Sequence, residues 1–231
     1  EHSVWTQDPQ FSLALQGGVT TFHVLPGSAN LIGGRGTTFK NVQSNTIQGM
    51  KFPDAPHSLK MACGENPKRV YGSRRQAPST RMGNIAGYRK AWIKASKYRQ
   101  NMNTYESKSA EAKEIVSPPT RDLEMDTLAG VLNGEILVQN HCYRAEEMAM
   151  MIDIAEEFGY KITAFHHAVE AYKIADLLAD NGICGALWAD WWGFKHEAYD
   201  MVQENIAIID QARNGTGCAV VHSDDAIGIQ H

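Results

Sequence analysis

The sequence predicts an α/β fold of parallel strands alternating with helices, and three observations predict it. Short runs such as Ile136-Leu137-Val138 and Ala219-Val220-Val221 are apolar on both faces, as strands covered by helices on both sides are. Each such run adjoins a segment of helical composition: Ala145 to Phe158, Ala168 to Asp180 and Phe194 to Ala212. Strand plus helix recurs at intervals of roughly 20 to 35 residues, the arithmetic of βα units. Countable strands begin near Val19, Ser58, Ile136, Lys161, Ile183 and Cys218, two short of an eight-stranded barrel.

Taken in order, Phe11 to Leu15 closes a helix at Gly17-Gly18, and the β-branched and aromatic run Val19 to Leu25 is a strand ended by Pro26-Gly27. Gly27 to Gly36 is glycine-rich, but its spacing fits no phosphate-binding fingerprint, so it reads as a shaped surface loop and a wall of a pocket. Ser58 to Cys63 is a short strand, with Lys60 inside it and Glu65 just past its end. Lys68 to Arg81 is basic and turn-rich. Arg81 to Ile115 is an amphipathic helix broken by Ser117-Pro118-Pro119-Thr120, and Asp122 to Leu132 is another. A helical insertion at about 81–133 is therefore expected within one domain spanning residues 1–231.

Length and composition bound the rest. With 231 residues, 43% apolar and 21% charged, the chain suits one sizeable core and excludes disorder. A net charge of −4 with dispersed Lys and Arg gives no footprint for nucleic acid. No apolar run approaches a membrane span, and the first residues lack a secretory layout. Cys63, Cys142, Cys184 and Cys218 form no CxxC pair and are expected to be buried free thiols of a cytoplasmic protein. A small molecule is the expected partner, with neither nucleic acid nor membrane, and a homo-oligomer is left open.

Candidate chemistry gathers between Glu135 and Ile229, where three apolar runs each end on a histidine or an acid: His141, His166-His167 and His222-Ser223-Asp224. Parallel strands place their carboxyl ends on one rim, where catalytic residues of such barrels gather. Taken singly, each residue has a plainer role: a strand-end histidine is usually just hydrogen-bonded, and Asp224-Asp225 suits a helix N-cap. His166 and His167 are adjacent, so in an extended strand only one of them faces a shared centre. Two imidazoles and a carboxylate together suit Zn²⁺, and with it metal-assisted hydrolysis in which Asp224 relays the water proton to a leaving amine. His222, His166 or Tyr143 would assist as a supporting group or oxyanion donor. Arg144 and Arg35 are candidates to hold a substrate carboxylate, and Trp188, Trp191 and Trp192 to line a planar pocket.

Several of these runs carry a family resemblance. Ala14-Leu15-Gln16-Gly17-Gly18-Val19-Thr20-Thr21 resembles the ALxGGVTT segment that leads into the second strand of the metal-dependent amidohydrolase superfamily. His141-Cys142-Tyr143-Arg144 resembles that family's fifth-strand histidine, and His167-Ala168-Val169-Glu170-Ala171-Tyr172 is similar to the HGTEAY pattern of the imidazolonepropionase-like branch. His222-Ser223-Asp224 resembles the eighth-strand motif. The resemblance implies a (β/α)8 TIM barrel that hydrolyses amide or cyclic amide C–N bonds with one or two divalent ions, usually zinc. It makes His141 and His167 metal ligands, and Asp224 both ligand and general base. It further implies a middle-strand ligand, a carboxylated lysine or a glutamate, for which Glu65 is preferred over Lys60 because it lies at the strand end. The family's first-strand His-x-His is absent, and the chain stops at His231. A fragment spanning the second to eighth strands is therefore expected. A catalytically silent barrel that binds a small ligand, or a metal-free lyase or isomerase using His141 or His167 as base, are the competing readings.

Overall fold

The computed structural model describes residues 2–224; Glu1 and residues 225–231, including Asp225 of the Asp224-Asp225 pair, lie outside the described residues. The elements run α1 (Pro9–Gln16), β1 (Thr21–Val24), β2 (Ile32–Lys40), α2 (Ile47–Met50), β3 (Ser58–Ala62), α3 (Glu65–Gly72), α4 (Arg81–Glu106), α5 (Ala110–Ile115) and α6 (Leu123–Leu132). Then follow β4 (Leu137–Cys142), α7 (Ala145–Phe158), β5 (Ile162–His167), α8 (Ala175–Asp180), β6 (Cys184–Trp188), α9 (Asn205–Gly215) and β7 (Ala219–His222). All seven strands form one sheet in sequence order, curled into a half-barrel. β3 to β7 are parallel, whereas β1–β2 and β2–β3 are antiparallel.

The helices earn their ends locally. Thr80 accepts from Gly83 N at the start of α4, Asp122 accepts from Glu124 N and Met125 N at the start of α6, and Gly159 closes α7 in the left-handed region at φ 73. Ser109 caps α5, so the single helix expected over Arg81 to Ile115 is two. Strands β3 to β6 are largely buried, as their apolar runs require, whereas β7, last in the sheet, leaves Val220 and Val221 exposed and so is not covered on both faces as its sequence predicts. Leu59, Met61, Val138, Phe165 and Leu187 join Tyr88, Trp92, Met148, Met151 and Leu178 in one core. Each fully buried side chain of this size contributes about 1.5–3 kcal/mol.

Four expectations are corrected. The glycine-rich segment is not a surface loop throughout, because from Ile32 it forms the nine-residue strand β2. Its glycines allow close packing: a Cβ on Gly36 would sit 2.5 Å from Leu25 Cδ2 and 2.6 Å from Ser58 Oγ, so only glycine lets β2 lie between its neighbours. The N-terminal strands are an antiparallel ribbon rather than further βα units. Residues 189–204, expected to begin a helix at Phe194, are irregular apart from a 3-10 turn at His196–Ala198, with Trp191 and Gly193 both at positive φ. Finally, the cysteines are not free. Cys63 pairs with Cys142 and Cys184 with Cys218, which removes the ground for expecting a reducing, cytoplasmic setting. No helix among the described residues is long and apolar enough to cross a membrane.

Both disulfides tie neighbouring strands, closing loops with sequence separations of 79 and 34 residues. Loop-closure entropy makes each worth about 4 kcal/mol. Native protein is expected to take up no iodoacetamide before reduction, and reduced protein to unfold at markedly lower urea. Alkylation of any cysteine in unreduced, folded protein would contradict the pairing.

Candidate functional site

The site follows from strand register. Lys60 pairs with Gln139, Ala62 with His141, His141 with His166 and His166 with Ala186 across successive parallel strands, while Trp188 pairs with His222. Side chains alternate with period two, so Lys60, Gln139, His141, His166 and His222 share the inner face. They line one cavity of about 830 Å³, together with His23 from β1, Asn66, Tyr143, His167 and Asp224.

His167 breaks the alternation rule. It ends β5 at φ 70, followed by Ala168 at φ 41, and this left-handed step turns its ring toward the cavity beside His166. The expectation that only one of the two histidines faces the centre is thereby corrected. Backbone bonds from Ala168 N to Cys142 O at 2.9 Å and from Glu170 N to Tyr143 O at 3.0 Å hold the turn. His167 N also donates to His222 Nε2 at 3.3 Å.

Three residues converge: the ligand atoms of His167, His222 and Asp224 lie within 4.8 Å of one another. Asp224 Oδ2 is 3.4 Å from His167 Nδ1, and its Oδ1 is 3.9 Å from His222 Nδ1. His141 stands beside them, its ring centroid 4.5 Å from that of His167. It is 1% exposed, and neither of its ring nitrogens has a hydrogen-bond partner in the structure. Leaving such buried groups unsatisfied costs about 1–3 kcal/mol each, so this arrangement is suited to receiving a further group.

Burial depresses every imidazole here. His141 and His167 lie well below the ordinary histidine range; His166 is pushed down to about 3 by burial, with the Lys60 ammonium adding to it; His222 is also lowered by burial, against the opposing pull of Asp224. All four are neutral near pH 7, the form that binds metal. Lys60 is itself lowered by burial, and its ammonium donates to Pro26 O at 3.2 Å. Burial raises the Tyr143 phenol, which stays protonated and able to donate.

The remaining expected residues divide. Glu65 does not face the histidines: it opens α3 and pairs with Lys195 Nζ at 2.9 Å, whereas Lys60 does line the cavity. Of the two middle-strand candidates, Lys60 lines the cavity and Glu65 is paired with Lys195 beside it. Arg144 is bound to Glu146 at 2.7 Å and does not line the cavity. Arg35 donates to Thr127 Oγ1 at 3.0 Å and lines a separate, basic cavity with Lys51, His57 and Arg121. Sequence reasoning missed Gln139, whose Oε1 accepts from His166 Nε2 at 2.6 Å, and His23, which meets Ser58 Oγ at 2.7 Å. Gln139 was findable, since it lies two residues before His141 and therefore on the same face.

No family model matches the chain. It is 35% identical over 209 residues to amidohydrolase tasK of Hapsidospora irregularis, covering 83% of this chain and 21% of that protein. It also matches the crystal structure of an amidohydrolase from Thermotoga maritima MSB8 with a TM-score of 0.86 and 35% identity, over 97% of this chain and 56% of that one. The chain thus spans about a fifth of the first relative and about half of the second. The identity and the shared fold extend over nearly all of its length, and the chain belongs to the amidohydrolase superfamily.

Proposed function

We propose that this chain carries the metal-binding part of a hydrolase that cleaves an amide or cyclic amide C–N bond. The observation that supports it most is the convergence of His167, His222 and Asp224 within 4.8 Å. These three would hold the ion, with His141 as the adjacent buried imidazole, and nitrogen donors with one carboxylate suit Zn²⁺. Lys60 takes the middle-strand place that Glu65 leaves, its amine gaining CO₂ and losing a proton to become a carbamate. A bound ion would supply Lewis acidity to the scissile carbonyl and lower the pKa of a water.

The chain's own residues do the rest. Asp224, with its side chain 42% exposed beside the cavity, takes the proton of the attacking water and passes it to the leaving nitrogen as the C–N bond breaks. His166 is held by Gln139, which accepts from its Nε2–H and leaves Nδ1 as an acceptor toward the substrate. Tyr143, protonated and lining the same cavity, donates to the carbonyl oxygen as negative charge builds there.

Calorimetric titration of metal-free protein with Zn²⁺ is expected to show saturable uptake. His167→Ala and Asp224→Asn should each weaken it by more than about 100-fold, because loss of even an outer partner costs about 10- to 100-fold. In a protein that hydrolyses an amide, Asp224→Asn should lower kcat by about 10²–10⁴. Absence of saturable uptake by the wild type would sink the reading.

The lowered imidazoles also set a pH dependence. Each remains neutral when folded but gains a proton near pH 6.5 when unfolded, so below that value the unfolded state binds more protons. Their contribution is complete above about pH 6.5 and is lost as pH falls toward about 3, where His166 protonates in the folded state. Each depressed imidazole contributes a slope of about 1.4 kcal/mol per pH unit in that window. Urea unfolding of metal-free protein between pH 7 and pH 4 should show falling stability, less steep in His166→Gln. A flat profile would show that the imidazoles are not buried as described.

A further inference from the structure

We propose that the aromatic cluster on the segment after β6 is a substrate subsite for an uncharged aromatic ring. The inference rests on the hydrolase reading and names the kind of amide that site takes. Trp188 ends β6, on the rim formed by the carboxyl ends of the parallel strands, and its ring lies 4.6 Å from His167 and 5.3 Å from Tyr143. Outward from it, Trp191 lies at 5.5 Å and Phe194 at 5.4 Å, with 5.2 Å between those two. The rings thus form an unbroken path from the candidate metal ligand to solvent, and exposure rises along it: 5% for Trp188, 37% for Trp191 and 51% for Phe194.

Two features argue for a ligand over core packing. Trp191 is held at φ 69, a conformation unfavourable for a bulky residue, and its indole is left partly in water. The cations that flank the rim are already committed: Lys195 to Glu65 at 2.9 Å, Arg144 to Glu146 at 2.7 Å, and Arg81 to Glu147 at 2.8 Å and to Glu197. Lys195 Nζ also lies over the Tyr143 ring at 4.1 Å and over one face of the Phe194 ring at 5.2 Å. An anionic substituent beside these rings would have to displace Glu65 from Lys195, whereas a neutral ring stacks on Trp191 and the open face of Phe194 without doing so.

The test compares N-benzylacetamide, N-(cyclohexylmethyl)acetamide and N-(para-carboxybenzyl)acetamide, titrated against the chain with and without zinc and read by ligand-observed NMR. The benzyl compound is expected to bind tightest. Trp191→Ala and Phe194→Ala, both partly exposed and so compatible with folding, should each weaken it by about 2- to 10-fold, the worth of one aromatic pair. Trp191→Phe should restore most of the loss. Equal affinity for the benzyl and cyclohexylmethyl compounds, tighter binding of the carboxybenzyl compound, unchanged binding in Trp191→Ala, or no saturable binding of the benzyl compound would each overturn the proposal. Failure of zinc uptake overturns the hydrolase reading instead, because the ring preference is also read without metal.

Discussion

Everything at the site depends on the parallel pairing of β3 through β6, whose register shifts once, between Val138 and Gln139, before the histidines are reached. The rows Lys60–Gln139–Ala164–Cys184 and Ala62–His141–His166–Ala186 run across the sheet on one face, with Leu59, Val138 and Phe165 on the other. Because the side-chain period is two, a slip of one residue in β4 or β5 would bury an imidazole among the helices and expose a core residue to the cavity. The apolar face therefore fixes the polar one. Burial of Leu59, Val138, Phe165 and Leu187 specifies the register, and the histidines are carried into place by it.

A second layer of order comes from charge. The irregular segment after β6 has no helix or sheet to hold it, yet Lys195 and Glu197 anchor it at two adjacent points. Lys195 bonds Glu65 Oε1 and Asn66 Oδ1 on the opening turn of α3, and Glu197 receives Arg81 from α4 and the backbone N–H of Glu65. Arg81 in turn holds Glu147 of α7. Gly64 is required at the crossing, since a Cβ there would lie 2.8 Å from Glu197 Oε2 and its backbone is at φ 76. Buried carboxylates such as Glu147 and Glu197 are costly unless paired, so this network confers position more than stability.

What the sequence made legible follows the same division. The buried strands β3 to β6, the more exposed β7, helix α7 and the polar strand tips were readable because apolar runs and their punctuation are local signals. His141, His167 and Asp224 fell on the cavity for that reason. Strand β2 was not readable, because its glycines serve packing between neighbours that a linear reading does not bring together. The inward turn of His167 depends on two successive positive-φ residues, His167 and Ala168, and the pairing of Glu65 depends on Lys195, which is 130 positions away by numbering. The cysteine pairs were misread for a related reason: Cys63 and Cys142 adjoin the paired residues Ala62 and His141, a proximity created by the sheet.

The partition of charge has a chemical consequence. Around the rim, cations and carboxylates are bound to one another, with Arg81 shared by Glu147 and Glu197. Inside the cavity, burial lowers all five lining imidazoles, His23 included, and Lys60 and Asp224 are the charged side chains among its lining residues. A proton is a poor partner for this set, because burial penalises each imidazolium. A divalent ion differs: it meets several donor atoms at once and draws on the Asp224 carboxylate, recovering by coordination what burial withheld from protonation. The same burial that makes these histidines weak bases therefore keeps them available as ligands.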